Sequence, residues 1–449
     1  MIAVEDAETA LRFVASLKRT ERLSPADLAR YQRPQIERLC RHAALETAFN
    51  SERLRVLFEG GDAREGRFLF ENWRRVTPFN RADAQPINNL LHARSVPPVA
   101  GPTRMLHTSG SSGRPLEFGR SALAETASLA RGELMYEAHG FDPNERMGWI
   151  LFVNEKEGWT ERQISGWNLR NPKAELFLLS KAATMDQCVD WLRRVQPRYL
   201  MAPPSVVGGI VDALAGSSGE PVRLDRVFVT SETPREGLAE DVSAAFGARL
   251  VDQYGAREVG EIACTCPENG PAKHVAADTM LVEIIRPDGQ PAAPGEMGAV
   301  IVTPFYNYAT PFIRYDIGDF AIQGASMCAC GRTLPLIERV LGRQHALFQF
   351  KDGAARFPVG LNGMRQHVPW LQMQVAQIAL DRFEVRYVPD PAGAAPDFEA
   401  ALRIARGALH SDAVVEFVAM NQIEPGSGGK FEDLVSLIAR DASPAGRRE

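Results

Sequence analysis

No run of apolar residues in the sequence approaches the length of a membrane-spanning helix. Between Met1 and Glu21 the residues Glu5, Asp6, Glu8 and Lys18 interrupt the apolar ones, so a secretory signal, basic and then continuously apolar, is absent too. The expected location is the cytoplasm, with no membrane partner. Excess positive charge is also lacking: 51 Lys and Arg stand against 56 Asp and Glu, a formal net charge of -5. That excludes the electrostatic footprint of a nucleic-acid binder. Cysteine is scarce, and its placement says more than its number. Cys40 and Cys188 stand alone in helical patterns and read as small buried apolar residues. Cys264/Cys266 and Cys328/Cys330 form two Cys-x-Cys pairs, which in a reducing compartment suggest a metal before a disulfide.

What is present is an ordinary globular composition, 45% apolar and 24% charged over 449 residues, long enough for two or three domains. Residues 1 to about 100 read as helices and loops, for example Ala3 to Leu17 and Ile36 to Phe49. Proline and glycine thicken over Val96–Pro102. Helical periodicity resumes from Leu123 to His139. Short apolar runs at Trp149–Val153, Arg198–Ala202, Arg226–Thr230 and Arg249–Asp252 then alternate with amphipathic stretches at Met185–Val195, Val206–Leu214 and Pro234–Phe246. This βαβ alternation predicts an α/β fold with a mainly parallel, helix-covered sheet. Ligands of such sheets sit beyond the carboxyl ends of the strands, which makes Pro203–Ser205, Ser231–Glu232 and Gln253–Gly255 site candidates. Met280–Ile285 and Ala299–Thr303 read as antiparallel strands of a smaller β region. The last hundred residues, with an alternating Phe383–Val388 and a helical Phe398–Leu409, read as a separate α+β domain.

The densest chemistry lies in His107-Thr-Ser-Gly-Ser-Ser-Gly-Arg-Pro-Leu116. Its glycines allow a tight loop, and its N–H groups and hydroxyls can converge on one anion, so it reads as a phosphate cradle. No Gly-Lys-Ser/Thr follows, so the lysine and magnesium-binding hydroxyl of a P-loop NTPase are missing and the cation must come from elsewhere.

Five motifs in order, Thr108-Ser109-Gly110-Ser111-Ser112-Gly113-Arg114-Pro115, Tyr254-Gly255-Ala256-Arg257-Glu258, Arg314-Tyr315-Asp316-Ile317-Gly318-Asp319, Gly342-Arg343 and Gly428-Gly429-Lys430, resemble the adenylate-forming enzymes, specifically the phenylacetate-CoA ligase family. The resemblance implies a large N-terminal domain over residues 1–341 and a smaller, mobile C-terminal domain over 342–449 that carries the lysine loop. It implies ATP-dependent activation of a small, aromatic carboxylic acid to acyl-AMP with release of pyrophosphate, then transfer to coenzyme A. Thr108 to Gly113 would cradle the phosphates and Glu258 would hold Mg2+, a hard cation that prefers carboxylate oxygen. Asp319 would accept from both ribose hydroxyls, as a carboxylate with two oxygens can. Tyr254 and Gly255 would border the nucleotide, Arg314 and Arg343 would donate to phosphate or ribose, and Lys430 would stabilise charge during adenylation. Tyr136, Phe141, Pro204, Ser205 and Ser231 are the candidate acid-pocket residues.

Two positions depart from the family pattern. Arg257 stands where the family places a Ser or Thr against the AMP phosphate, and Gly342-Arg343-Gln344-His345-Ala346 lacks the acidic hinge residue. Acyl transfer to a carrier protein or another nucleophile therefore stays open, as does a non-catalytic nucleotide-binding protein, and a homodimer is also left open. Some family members carry a structural zinc, which the resemblance assigns here to Cys266, His274, Cys328 and Cys330, with Cys264 as a substitute ligand.

Overall fold

The computed structural model describes residues 4–108, 116–153, 158–268, 270–325, 327–343, 346–358, 360–391, 393–424 and 432–438. The chain divides into two compact units, Met1–Leu341 and Gly342–Glu449.

The larger unit is built on a thirteen-stranded sheet among the described residues. Five strands run parallel, in the spatial order Glu175–Ser180, Met147–Leu151, Tyr199–Ala202, Arg226–Val229 and Arg249–Ala256. The crossovers carry the helices Met185–Val195, Pro204–Ala215 and Leu238–Phe246. The first of these shows why the chain turns where it does. Thr184 and Gln187 close a capping box at its start, Cys188, Val189, Trp191, Leu192 and Val195 form its buried stripe, and Gln196 ends it in the left-handed conformation at φ 45°. The stripe packs with Val207, Ile210, Val242 and Phe246 against Ile150, Leu200, Val227 and Val229. Each such large apolar side chain contributes about 1.5–3 kcal/mol.

Two strands of this sheet escape a reading by periodicity. Glu175–Ser180 is a short apolar run without alternation, and the antiparallel edge strand Glu161–Ser165 is exposed at every position and has no apolar face to reveal it. The strand Arg249–Ala256 is twice the length expected from the sequence. Its first half pairs in parallel with Arg226–Val229, and its second half pairs antiparallel with Gly260–Thr265. Through that hairpin the sheet continues into Lys273–Val275, Leu336–Arg343, Tyr315–Gln323, Met297–Pro304 and Met280–Ile285. The small β region read from the sequence is thus the other half of one mixed sheet.

Ahead of the sheet, the helix Val4–Thr20 packs Val14 and Leu17 against Ala130 and Leu134 of the helix Ala122–Ala138. The helix Pro25–Glu46 begins at Ser24, whose Oγ accepts from the Asp27 N–H at 3.1 Å. In the smaller unit, Trp370–Ala379 and Arg382–Pro389 form an antiparallel pair, flanked in parallel by Leu434–Ser436 and Val414–Ala419. Helix Phe398–Ala408, capped by Asp397, lays Ala401 and Ala405 over Phe348, Val375 and Val385. No helix among the described residues is long and apolar enough to cross a membrane.

Candidate active site

The cradle loop hangs from a β-hairpin. Thr103–His107 pairs with Glu117–Ser121 so that His107 faces Glu117, and one step further the Thr108 N–H donates to the Leu116 carbonyl at 2.9 Å. The Leu116 N–H and Arg81 Nη2 both donate to Thr108 Oγ1, at 3.0 and 2.7 Å. Thr108 is buried and anchors one end of the loop, so its hydroxyl oxygen is already engaged as an acceptor. Ser109, Gly110, Ser111, Ser112 and Gly113 lie outside the described residues.

The second motif sits on the hairpin that joins the two halves of the sheet. Gln253 to Ala256 pair with Cys264 back to Gly260, leaving Arg257, Glu258 and Val259 as the turn, closed by the Val259 N–H on the Ala256 carbonyl at 3.2 Å. Arg257 is exposed, whereas Glu258 is half-buried and faces a cleft lined also by Arg120, Ser128, Arg131, Glu261 and Asn307. Gly255 cannot carry a side chain here, because a Cβ would lie 2.7 Å from the Gly260 carbonyl oxygen.

The third motif is delivered by an interruption in pairing. Along Tyr315–Gln323, Asp316 pairs with Ile301 but Phe320 pairs with Ala299, so Ile317, Gly318 and Asp319 bulge out of the ladder. Gly318 sits at φ 82°, and its N–H donates to Asp316 Oδ1 at 2.9 Å. The bulge re-aims Asp319, and the Tyr254 hydroxyl donates to Asp319 Oδ2 at 2.9 Å. Two motifs 65 positions apart thereby meet in one hydrogen bond. Asp316, which motif reading alone does not single out, is lifted to about 6 by burial. The Gly318 N–H opposes that shift, and the charges of Asp319 and Asp83 add to it.

Arg314 does not join these groups, which corrects its expected part as a phosphate or ribose donor. Its side chain is 3% exposed. Nε and Nη2 bond the two Glu283 carboxylate oxygens, each at 3.1 Å, and Nη1 donates to the Val76 and Arg74 carbonyls at 2.8 and 3.3 Å. A guanidinium so occupied inside the protein is a structural clamp. Arg343 is half-buried at the end of the strand Leu336–Arg343, and Lys430 lies outside the described residues, as do Gln344 and His345 of the hinge.

The candidate acid-pocket residues separate into two groups. Tyr136 and Phe141 meet at 5.1 Å between ring centroids, within a cluster that includes Trp167, Tyr199 and Phe228. Phe141 contacts four of these rings and is 8% exposed. That makes it core rather than pocket lining. Tyr136 is half-buried, and burial with the charges of Glu133 and Glu261 holds its phenol protonated far above the usual range. Pro204, Ser205 and Ser231 instead follow the carboxyl ends of neighbouring parallel strands. Pro204 is buried as the first residue of its helix, while Ser205 and Ser231 are exposed. Ser231 is held at φ 78°, a conformation costly for a residue with a Cβ. The Ser205 N–H donates to Glu232 Oε2 at 3.2 Å, tying the two strand ends together.

At the far end of Gly260–Thr265, four donor atoms of Cys266, His274, Cys328 and Cys330 lie within 4.8 Å of one another. Cys266 Sγ is 3.7 Å from Cys328 Sγ, and His274 Nε2 is 3.2 Å from Cys330 Sγ. His274 Nδ1 is 3.4 Å from the Leu334 carbonyl, which fixes the tautomer that leaves Nε2 free to ligate. Three sulfurs and one imidazole at this spacing fit a closed tetrahedral site. Cys264 is not one of the four. It lies inside the strand and packs with Val251 and Phe228, 3.9 Å from His139 Nε2. Cys266 stands one residue past the strand end, with its Sγ among the other donors.

No family model matches the chain. Over 153 residues it is 27% identical to phenylacetate-coenzyme A ligase of Thermus thermophilus, a match covering 33% of this chain and 34% of that one. Over 159 residues it is 28% identical to phenylacetate-coenzyme A ligase of Escherichia coli, covering 34% and 36%. The matches thus span about a third of the length of these relatives. The solved structure of 2-hydroxyisobutyryl-CoA ligase in the postadenylation state superposes at a TM-score of 0.74 and 18% identity, over 94% of this chain and 92% of that one. An anthranilate CoA ligase with bound anthranoyl-AMP gives 0.53 and 14%, over 73% and 65%. The chain has the fold of the adenylate-forming CoA ligases.

Proposed function

We propose that this chain, with the fold of the adenylate-forming CoA ligases, is a cytoplasmic AMP-forming acid–thiol ligase for a small aromatic carboxylic acid. The observation that carries the reading is the Tyr254–Asp319 contact, which joins two separate motifs. The curated relatives are named for phenylacetate, and one structural neighbour for anthranilate, which supports an aromatic acid.

In the proposed reaction a carboxylate oxygen of the acid attacks the α-phosphorus of ATP and pyrophosphate leaves. The thiol of coenzyme A then attacks the acyl carbonyl, loses its proton, and displaces AMP. Asp319 accepts from the ribose hydroxyls, and Tyr254 holds that carboxylate in place. The loop suspended at Thr108 surrounds the phosphates with N–H and hydroxyl donors. Glu258 would hold Mg2+, which neutralises phosphate charge when bound. Arg257 offers a charge-assisted bond to phosphate, and Lys430 and Arg343 would supply further cations. Cys266, His274, Cys328 and Cys330 would hold a structural zinc with no open position for chemistry.

Exchange of labelled pyrophosphate into ATP, measured with phenylacetate, anthranilate, benzoate and 2-hydroxyisobutyrate in turn, tests the reading. Exchange stimulated by an aromatic acid, followed by thioester formation on adding coenzyme A, is expected. Strong exchange with thioester formed only on a carrier protein would move the acceptor. No exchange with any acid, in protein that binds ATP, would remove the catalytic reading in favour of a nucleotide-binding protein.

A further inference from the structure

Arg314 is one of three non-glycine residues described with a positive φ, at 50°. Such a conformation persists only where the surroundings over-determine it, and here they do so from four sides. The Arg314 N–H donates to Thr303 Oγ1 at 2.8 Å, and its carbonyl accepts from the Phe79 N–H at 3.2 Å. Glu283 takes the guanidinium fork through both oxygens, and the Val76 and Arg74 carbonyls take Nη1. Glu283 is itself held by Trp73 Nε1 at 3.2 Å. The next residue, Tyr315, opens the strand that bulges at Asp319, and the short segment Phe79–Asn80 pairs in parallel with Tyr315 and Asp316.

We infer that Arg314 is a positioning residue for the nucleotide: its buried clamp fixes the left-handed turn that sets the register of Tyr315 and Asp316, and so aims the bulged Asp319 at the ribose. The inference rests on the reading of Asp319 given above. A lysine at 314 keeps the charge but loses the two-pronged bond to Glu283 and at least one carbonyl partner, so the turn is no longer over-determined. Asp319 then points less well, and the loss falls on interactions made through the ribose hydroxyls. Interactions with adenine and phosphates are made by other elements and stay.

Calorimetric binding of Mg·ATP and Mg·2′-deoxy-ATP to the full chain, with the unfolding transition followed in parallel, distinguishes the outcomes. The wild type is expected to prefer ATP by about tenfold or more, the value of a hydrogen bond to a charged group. Arg314→Lys should weaken ATP about tenfold and 2′-deoxy-ATP hardly at all, so that the preference collapses to within about twofold. Glu283→Gln, which leaves Arg314 in place, should reduce the preference in the same sense and carries the test if the lysine variant does not fold. Variants that keep the wild-type ratio, or lose both nucleotides equally, overturn the positioning role while leaving the functional reading intact. A wild type that binds both nucleotides equally, or neither, overturns the ribose reading itself.

Discussion

One strand, Gly260–Thr265, has a different kind of residue cluster at each end. At its start the turn Arg257–Val259 exposes an arginine and half-buries a glutamate beside a cleft. Just past its finish Cys266 joins three more donors that face one another. At the cysteine end the four donor atoms are mutual neighbours, and His274 Nδ1 lies against a backbone carbonyl. At the glutamate end Glu258 borders a cleft with space that a ligand can fill. Closed donor sets stabilise, and open ones do chemistry. The same rigid strand serves both, because a sheet fixes its ends equally well.

The largest effects are expected from the residues proposed to act in adenylation. Lys430→Ala should lower acid-dependent pyrophosphate exchange by about a thousandfold while leaving thioester formation from preformed acyl-AMP less affected, as for loss of a charge that matters only in the adenylation transition state. Unchanged exchange removes Lys430 from the mechanism. Glu258→Gln should lower exchange by about a hundredfold and raise the Mg2+ concentration needed for half-maximal rate, with little change in thermal stability. A rate loss that added Mg2+ does not modify would detach Glu258 from the metal.

At the closed end the effects should reverse. Metal analysis of the wild type should find about one equivalent of zinc, and Cys328→Ser should abolish it and lower the unfolding temperature by about 5 °C or more, since metal binding free energy is folding free energy. Protein purified without chelator and free of zinc would count against the site.

The smallest effect is expected at Asp316, on the strand Tyr315–Gln323. Its carboxyl is raised from 3.8 to about 6, so between those values the folded state binds the extra proton. Stability from this group is therefore fully present below about pH 4 and is lost as pH rises through 6. Asp316→Asn keeps an oxygen for the Gly318 N–H but cannot ionise. It should flatten that decline and raise the unfolding temperature at pH 7.5 by about 2 °C, with no gain at pH 4. An equal shift at both pH values would show that charge is not the cause.

Tyr254, Glu258 and Asp319 stand in short, ordered motifs and carry side chains whose chemistry suits nucleotide and metal. The residues by themselves show only two Cys-x-Cys pairs, and the grouping of Cys266, His274, Cys328 and Cys330 is what the family resemblance implies. Arg314 and Phe141 were misplaced for a physical reason: an arginine in a motif and an aromatic after a helix have the same local signature whether they face a ligand or the core. Only their partners, Glu283 in one case and four rings in the other, decide. Glu261 has no such local signature, because its bond to Gln253 at 2.6 Å exists only across the hairpin.

The sequence by itself determined the alternation of strands and helices, the absence of a long apolar span, and the chemical kinds of residue available. These follow from local periodicity and side-chain type, which act over a few residues. Tertiary structure alone decided that the parallel and antiparallel strands form one sheet, that a bulge turns Asp319 toward Tyr254, and that Arg314 is held by Glu283. Register, bulges and buried ion pairs depend on which distant segments share a ladder or a core. That information is spread over the whole chain and is not carried by any single stretch of it.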